Sequence, residues 1–309
     1  MKKILVWLAV IFIMNPLWAS TTVEIPKDVN ILVPYGPGGI SDIQVRHLSQ
    51  WLAKRGINLN PIYRPGGNST IAASELITSN KDGSVLMINS TSNSWLARER
   101  LGREVIDPIV TTGGNANALI TFPGSKYENY DELVRMLKSN DSEIKIGWHA
   151  VANLINLNQL VEKLDSPKPL LIPYKTSTES SRDVAGKHIP LALVPMSTAL
   201  PLAESGKVKI IFGFSAGKSG LPLGILDLKT KIPSWQHGEL FFIGLPPGGD
   251  KKVHNAWSTL LKEYLNDKQT EDTYTKAYFG KDVGDREYVF EVINRQSELI
   301  KKYKIEFKK

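Results

Sequence analysis

The sequence predicts an α/β protein of two domains with a ligand cleft between them. Three observations carry this. Strand-like and helix-like segments alternate along most of the chain. Several strand segments are apolar without a break, such as SVLMINS at 84–90 and LFFIGLP at 240–246. Unbroken apolar runs of this length mark strands buried on both faces, which favours a parallel sheet covered by helices. The alternation also falls into two blocks, with long helices after the second. Ligands of such sheets bind outside the carboxyl ends of the strands. A chain of 309 residues with 42% hydrophobic and 22% charged content is long enough and apolar enough for two such domains.

The first twenty residues stand apart from the fold. Met1-Lys2-Lys3 is basic, residues 4–14 are apolar, and Asn15-Pro16-Leu17-Trp18-Ala19-Ser20 follows. This is the pattern of a secretory signal peptide. Its apolar run is short of the roughly 20 residues of a spanning helix. Residues 1–20 are therefore expected to be a signal peptide, and the rest to be exported. The chain has no cysteine, so it has no disulfide, thiolate metal site or lipid-anchor cysteine.

The first block opens with VNILVPY at 29–35, a strand. Gly36-Pro37-Gly38-Gly39 leads into a helix from about Asp42 to Lys54. Ser41 and Gln44 have the spacing of a capping box. A helix start behind glycines offers unpaired N–H groups and partial positive charge, an arrangement that holds anions. An ordinary strand-to-helix turn is the competing reading. Asp42 either stabilises the helix start or accepts a bond from a ligand amine or hydroxyl. The loop lacks G-x-x-x-x-G-K-[ST]. It also leaves G-x-G-x-x-G at Ser41, and Tyr63-Arg64 stands where a dinucleotide site needs an acid. Residues 59–64 form the second strand and 69–79 a helix. Asp82-Gly83 is a turn, and 84–90 the third strand. The hydroxyls of Ser90-Thr91-Ser92-Asn93-Ser94 suit a small polar ligand, or else cap a helix near Trp95.

The second block has helices at 130–139, 153–164 and 178–187, and strands at 143–148, 169–174, 189–195 and 207–214. His149 falls at a strand's carboxyl end and is a ligand candidate by that position. Thr176 and Glu179 form a second capping box. GFSAG at 213–217 matches G-x-S-x-G, with Asp227 or Asp250 and His237 or His254 in the order of a hydrolase triad. That elbow needs a helix directly after Ser215, and KSGLPLG cannot propagate one. A secreted hydrolase using Ser215 is kept only as an alternative. The last third has the strand at 240–246 and helices at about 251–266 and 285–302. None of the five histidines pairs at metal spacing, and the lysines are scattered without an aromatic stripe. No metal, cofactor or nucleic acid is expected. The net charge of +7 reads as weak attraction for anions.

Four segments in order resemble the extracytoplasmic substrate-binding proteins of tripartite tricarboxylate transporters, the Bug-type receptors. VPYGPGGISDIQVRHLSQWL is similar to the family's P-x-x-P-G-G-x-x-D strand and first helix. YRPGGNSTIAASELITSNKDGSVLMINSTS resembles its R-P-G block, helix, D-G turn and strand. IPYKTSTESSRDVAGKHIPLALV resembles its V-P-Y-K-G segment, and LFFIGLPPGGDKKV its entry to the C-terminal helices. The resemblance covers nearly the whole mature chain. It implies a periplasmic binding protein of Venus-flytrap form, with one domain of residues 21–122 plus 233–309 and another of 123–232. It implies no catalytic residue. The partners would be a small organic carboxylate and the subunits of a membrane permease, and the expected state is a monomer. A sensor that no longer serves transport is the other binding-fold alternative. Tyr35, Gly38, Gly39 and Asp42 would form the first-domain clamp, with Thr91 and Ser92 nearby and His149 and Tyr174 facing them. Gly147-Trp148-His149-Ala150-Val151 departs from the family's G-x-G-[ST]-[ST] loop. Asn68-Ser69, Thr176 and Pro190 depart too, and the second-domain half of the pocket is expected to be bulkier and less polar.

Overall fold

The computed structural model describes residues 24–139, 144–215, 221–236 and 239–305. The expected signal peptide lies outside them. The chain starts with β1 (Asp28–Val33), α1 (Ile40–Ala53), β2 (Asn58–Tyr63), α2 (Thr70–Thr78), β3 (Val85–Ser90), α3 (Thr91–Leu101) and β4 (Asp107–Asn115). It crosses at Ala116 into β5 (Asn117–Thr121), α4 (Tyr130–Lys138), β6 (Lys145–Trp148), α5 (Val151–Lys163), β7 (Leu170–Pro173) and α6 (Ser177–Ala185). β8 (Leu191–Pro195), α7 (Met196–Glu204), β9 (Lys209–Phe214) and α8 (Leu228–Lys231) complete this part. The chain then returns as β10 (Phe241–Leu245), α9 (Lys251–Asn266), α10 (Lys268–Lys276), β11 (Phe279–Gly280) and α11 (Arg286–Lys302).

Two sheets result, ordered β11-β4-β10-β3-β1-β2 and β7-β6-β8-β5-β9. Both faces of each are packed. Ile31 and Val33 point into one cluster with Trp257 and Tyr264, while Leu32 points into another with Trp95 and Phe242. Leu193 and Ala192 divide the second sheet in the same way. The unbroken apolar strands are thus two-sided, as expected. The parallel pairing the apolar runs favour holds for part of each sheet, and both sheets are mixed. β1 pairs parallel with β2 and β3, and β6 with β7 and β8, but β10 is antiparallel to β3 and β4, and β5 to β8 and β9. The reason lies in the connections. β5 and β10 enter their sheets from the other lobe, at the edge where the parallel strands end, so they must run back against them. Sheet membership changes at Ala116, ahead of the expected limit at residue 122.

Candidate functional site

The candidate site draws on the segments that follow β1 and β3 in the first sheet and β6 and β7 in the second. The first wall is built on Asn89, fully buried at the end of β3. Its Oδ1 accepts from Ser69 Oγ at 2.8 Å, the Ser90 N–H at 2.9 Å and Tyr35 OH at 3.4 Å. Its Nδ2 has no hydrogen-bond partner. Tyr35 also accepts from Asn93 Nδ2 at 3.1 Å and packs edge-on against Phe241. Burial pushes its phenol up to about 12, with a further push from the charge of Glu239.

The glycine loop holds an anion of its own. Gly38 takes a left-handed φ of +87° and donates its N–H to Asp42 Oδ2 at 2.8 Å. Asp42 Oδ1 accepts from Arg46 Nε at 2.8 Å and from Tyr63 OH. Burial by itself raises this carboxyl, but the bonds from Tyr63, Gly38 and Arg46 outweigh it and hold the group below its usual range. The expected Ser41–Gln44 box does not form. α1 starts at Ile40 behind Gly39, which makes no side-chain cap, so Ser41 already lies inside the helix and is buried with Gln44. Gly39 is exposed beside them.

Ser90 caps α3 by accepting the Asn93 N–H. Thr91 fastens this helix to β10, accepting the Leu240 N–H at 3.2 Å and donating its own N–H to Leu240 O at 2.9 Å. Ser92 donates its hydroxyl to Glu239 Oε1. Glu239 stands in no motif. The only trace it leaves in the sequence is an acid next to an unbroken apolar strand. Burial raises its carboxyl, against the bonds from Ser92 and Ser90 that lower it.

The second wall is the junction of β6 and α5. Ala150 occupies the cap position of α5 and makes no side-chain cap bond. The first N–H groups of a helix have no acceptor within it, and Ala150 has no side-chain acceptor to offer them. Trp148 Nε1, His149 Nδ1 and Asn153 Oδ1, all within this short stretch, are buried and lack a partner. Asn153 is 3% exposed. Its Nδ2 donates to Asn117 Oδ1 at 3.4 Å, and Asn117 Nδ2 donates to Asn115 O at 3.3 Å. This chain fixes which amide atom of Asn153 points away. Burial holds His149 down at about 4, so its ring is neutral. Trp148 gives this loop its bulk and packs partly buried against the core of the second lobe.

Tyr174 lies close over β6. A Cβ on Gly147 would stand 3.0 Å from its ring, so only glycine fits there. Its OH donates to Asp183 Oδ2 at 2.7 Å, and burial followed by Asp183 pushes it up to about 12. Thr176 caps α6 as its spacing predicts: Thr176 Oγ1 accepts the Glu179 N–H at 3.2 Å, while Glu179 Oε2 accepts the Lys175 N–H at 3.2 Å, one residue ahead of a full box. The two walls touch at the start of α5, where Val151 and Ile155 pack into the cluster of Trp95 and Leu96.

The hydrolase alternative has no support. After Ser215 the described chain resumes at Leu221 without a helix, and α8 begins only behind the Asp227 cap. His254 is bonded to Pro108 O at 2.8 Å, in the first lobe. His237 lies outside the described residues. Ser215 instead lines a cavity of about 800 Å³ with Ala116, Leu223 and Tyr278. Among the described residues, no group of His, Cys, Asp or Glu is placed to hold a metal, and no helix is long and apolar enough to cross a membrane.

No family model matches the chain. The chain is 22% identical over 262 residues to the protein BugT of Bordetella pertussis, covering 82% of this chain and 79% of that protein. It is 20% identical over 192 residues to a UPF0065 protein of the same species, of which the match spans 59%. Among solved structures, the periplasmic binding protein BugD matches with a TM-score of 0.71 and 22% identity, over 90% of this chain and 98% of that one. The R. palustris protein Rpa4515 with adipate matches with a TM-score of 0.74 and 18% identity, over 89% and 96%. These likenesses establish the fold as that of the periplasmic binding proteins, two α/β lobes about a cleft.

Proposed function

We infer that this chain belongs to the Bug-type substrate-binding proteins of tripartite tricarboxylate transporters. From that premise we propose that it captures a small organic carboxylate in the periplasm and delivers it to a membrane permease, without chemistry of its own. Its working lobes are residues 24–115 with 239–305, and 117–236. One observation carries the reading: the start of α5, which has no side-chain cap, beside the orphaned Trp148 Nε1 and His149 Nδ1. Buried polar atoms are almost always paired, and two orphans at the junction of β6 and α5, beside a helix N-terminus, suit a polar ligand. A carboxylate accepts from helix N–H groups and from an indole N–H in charge-assisted bonds. Tyr35 and the α3 start would meet it from the other wall as the lobes close. The protein acts as a monomer in this account.

Thermal stability tests it. A carboxylate at one hundred times its Kd adds about 2.7 kcal/mol by mass action, a rise of several degrees in Tm. A panel of mono- and dicarboxylates should give such a rise for one or a few members. No rise with any of them would contradict the proposal.

A further inference from the structure

A cavity of about 800 Å³ lies beside the crossing at Ala116. Ser215 and Leu223 line it from the second lobe, and Glu271, Tyr278 and Val283 from the first. The sheet orders fix its place. In the first sheet the crossing strands β4 and β10 stand between β11, which borders the cavity, and β3 and β1, which lead into the candidate site. In the second sheet β5 and β9 hold one side and β6 and β7 the other, with β8 between them. Cavity and site therefore flank the crossings on opposite sides.

Ala116 is bonded to both lobes. Its N–H donates to Tyr278 O at 3.3 Å in the first, and its carbonyl accepts the Met196 N–H at 2.8 Å in the second. Tyr278 holds a left-handed φ of +52°, a backbone state that bulky residues rarely adopt. Strain of this kind gathers at switch regions. The cavity also collects apolar surface. Leu223 is fully exposed, and with Tyr278 and Val283 it makes three of the six exposed large apolar side chains among the described residues. Apolar surface gathered on two facing lobes gains by being covered when they approach.

A rotation of one lobe about the crossings narrows one flank as it widens the other. We propose that this cavity is a counter-latch: its apolar walls come together as the site opens, and their burial holds the open form against closure. The population of the closed form in turn scales the apparent affinity of the site. Leu223, Tyr278 and Val283 thus set affinity from outside the site. The effect on affinity rests on the carboxylate-receptor reading, whereas the lever rests on the fold alone.

The chain has no cysteine, so a single introduced thiol can be labelled cleanly. L223C and V283C place one in each wall, and each is modified with a bulky pyrene maleimide. L170C, exposed at the start of β7, is the labelling control. The double variant L223D, V283D sets like charges across the cavity without any label. Small-angle X-ray scattering of the unliganded proteins reads lobe closure, and calorimetric titration with succinate, glutarate and adipate reads affinity. The adduct at 223 or 283, and the double variant, should lower the radius of gyration. Each should also tighten whichever of these acids the wild type takes up, by about threefold or more. The L170C adduct should do neither. A radius of gyration that is unchanged or larger in all three altered proteins would overturn the proposal. Closure that leaves the affinity of a bound acid unchanged would overturn it too. A radius that falls in proteins binding none of the acids would uphold the lever and count against the receptor reading instead.

Discussion

Tyr303 donates its hydroxyl to Glu162 Oε2 at 2.8 Å, and so ties the end of α11 in the first lobe to α5 in the second. Lys302 reaches Glu162 Oε1 at 2.7 Å beside it. Below this pair, Val151 and Ile155 of α5 share a cluster with Trp95, Ile293 and Ile300. The helix whose start lines the cleft is therefore clamped to both lobes. Burial and then the Glu162 bond raise the Tyr303 phenol, while bonds from Lys302 and Tyr303 hold the Glu162 carboxyl down.

The clamp is largely solvent-exposed, so it should be worth little to the global fold, about 1 kcal/mol or less. Y303F is expected to leave Tm nearly unchanged while speeding hydrogen exchange along 151–163 and 286–303, the seam between the lobes. Unchanged exchange in both helices would show that the seam is held by the apolar cluster alone.

His149 gives a pH dependence of definite sign. Its folded value of about 4 lies below the ordinary 6.5. Between these values the unfolded chain binds a proton that the folded chain refuses. Stability is therefore full above pH 6.5 and falls as the pH drops toward 4. At about 1.4 kcal/mol per pH unit the loss is roughly 3 kcal/mol. H149F should show a flatter fall over this window in urea-unfolding curves. An equally steep fall would mean that other groups carry it.

Asp42 separates structure from recognition. Its carboxylate already accepts from Gly38, Arg46 and Tyr63, and D42N removes the charge from all three bonds. The variant is expected to lose about 1–3 kcal/mol of stability with ligand affinity nearly intact. The folded carboxyl lies below its ordinary 3.8. Its contribution is therefore present above that pH and lost as the pH falls through the folded value. A collapse of affinity at unchanged stability would instead make Asp42 a ligand contact.

Much of this architecture is legible in the residues. VNILVPY and SVLMINS announce two-sided strands, and Thr176 with Glu179 announces a helix start that forms as spaced. The crossing strands β4 and β5 are less legible. DPIVTTGGNANALIT mixes glycine, threonine and asparagine, which reads as loop until a second strand covers it. α7 hides behind Pro201, and α10 is too polar to show a stripe. The Ser41 cap fails because hydroxyl spacing cannot say where a helix begins when a buried aspartate already organises its first turn. Of the candidate residues, the hydroxyls after β3 and His149 stand out in the sequence by their position after strands. Asn153 and Glu239 do not: Asn153 shows itself only through an orphaned amide oxygen in the folded chain, and Glu239 only through the Ser92 hydroxyl folded against it.

The central claim is that the start of α5 holds the ligand. The most direct measurement is the affinity of W148F for whichever carboxylate stabilises the wild type, by calorimetry at neutral pH. Removing an indole N–H that meets the ligand should cost about 1–3 kcal/mol of binding, a loss of roughly tenfold or more, with one site per chain in the wild type. Wild-type affinity in a folded W148F would contradict the account.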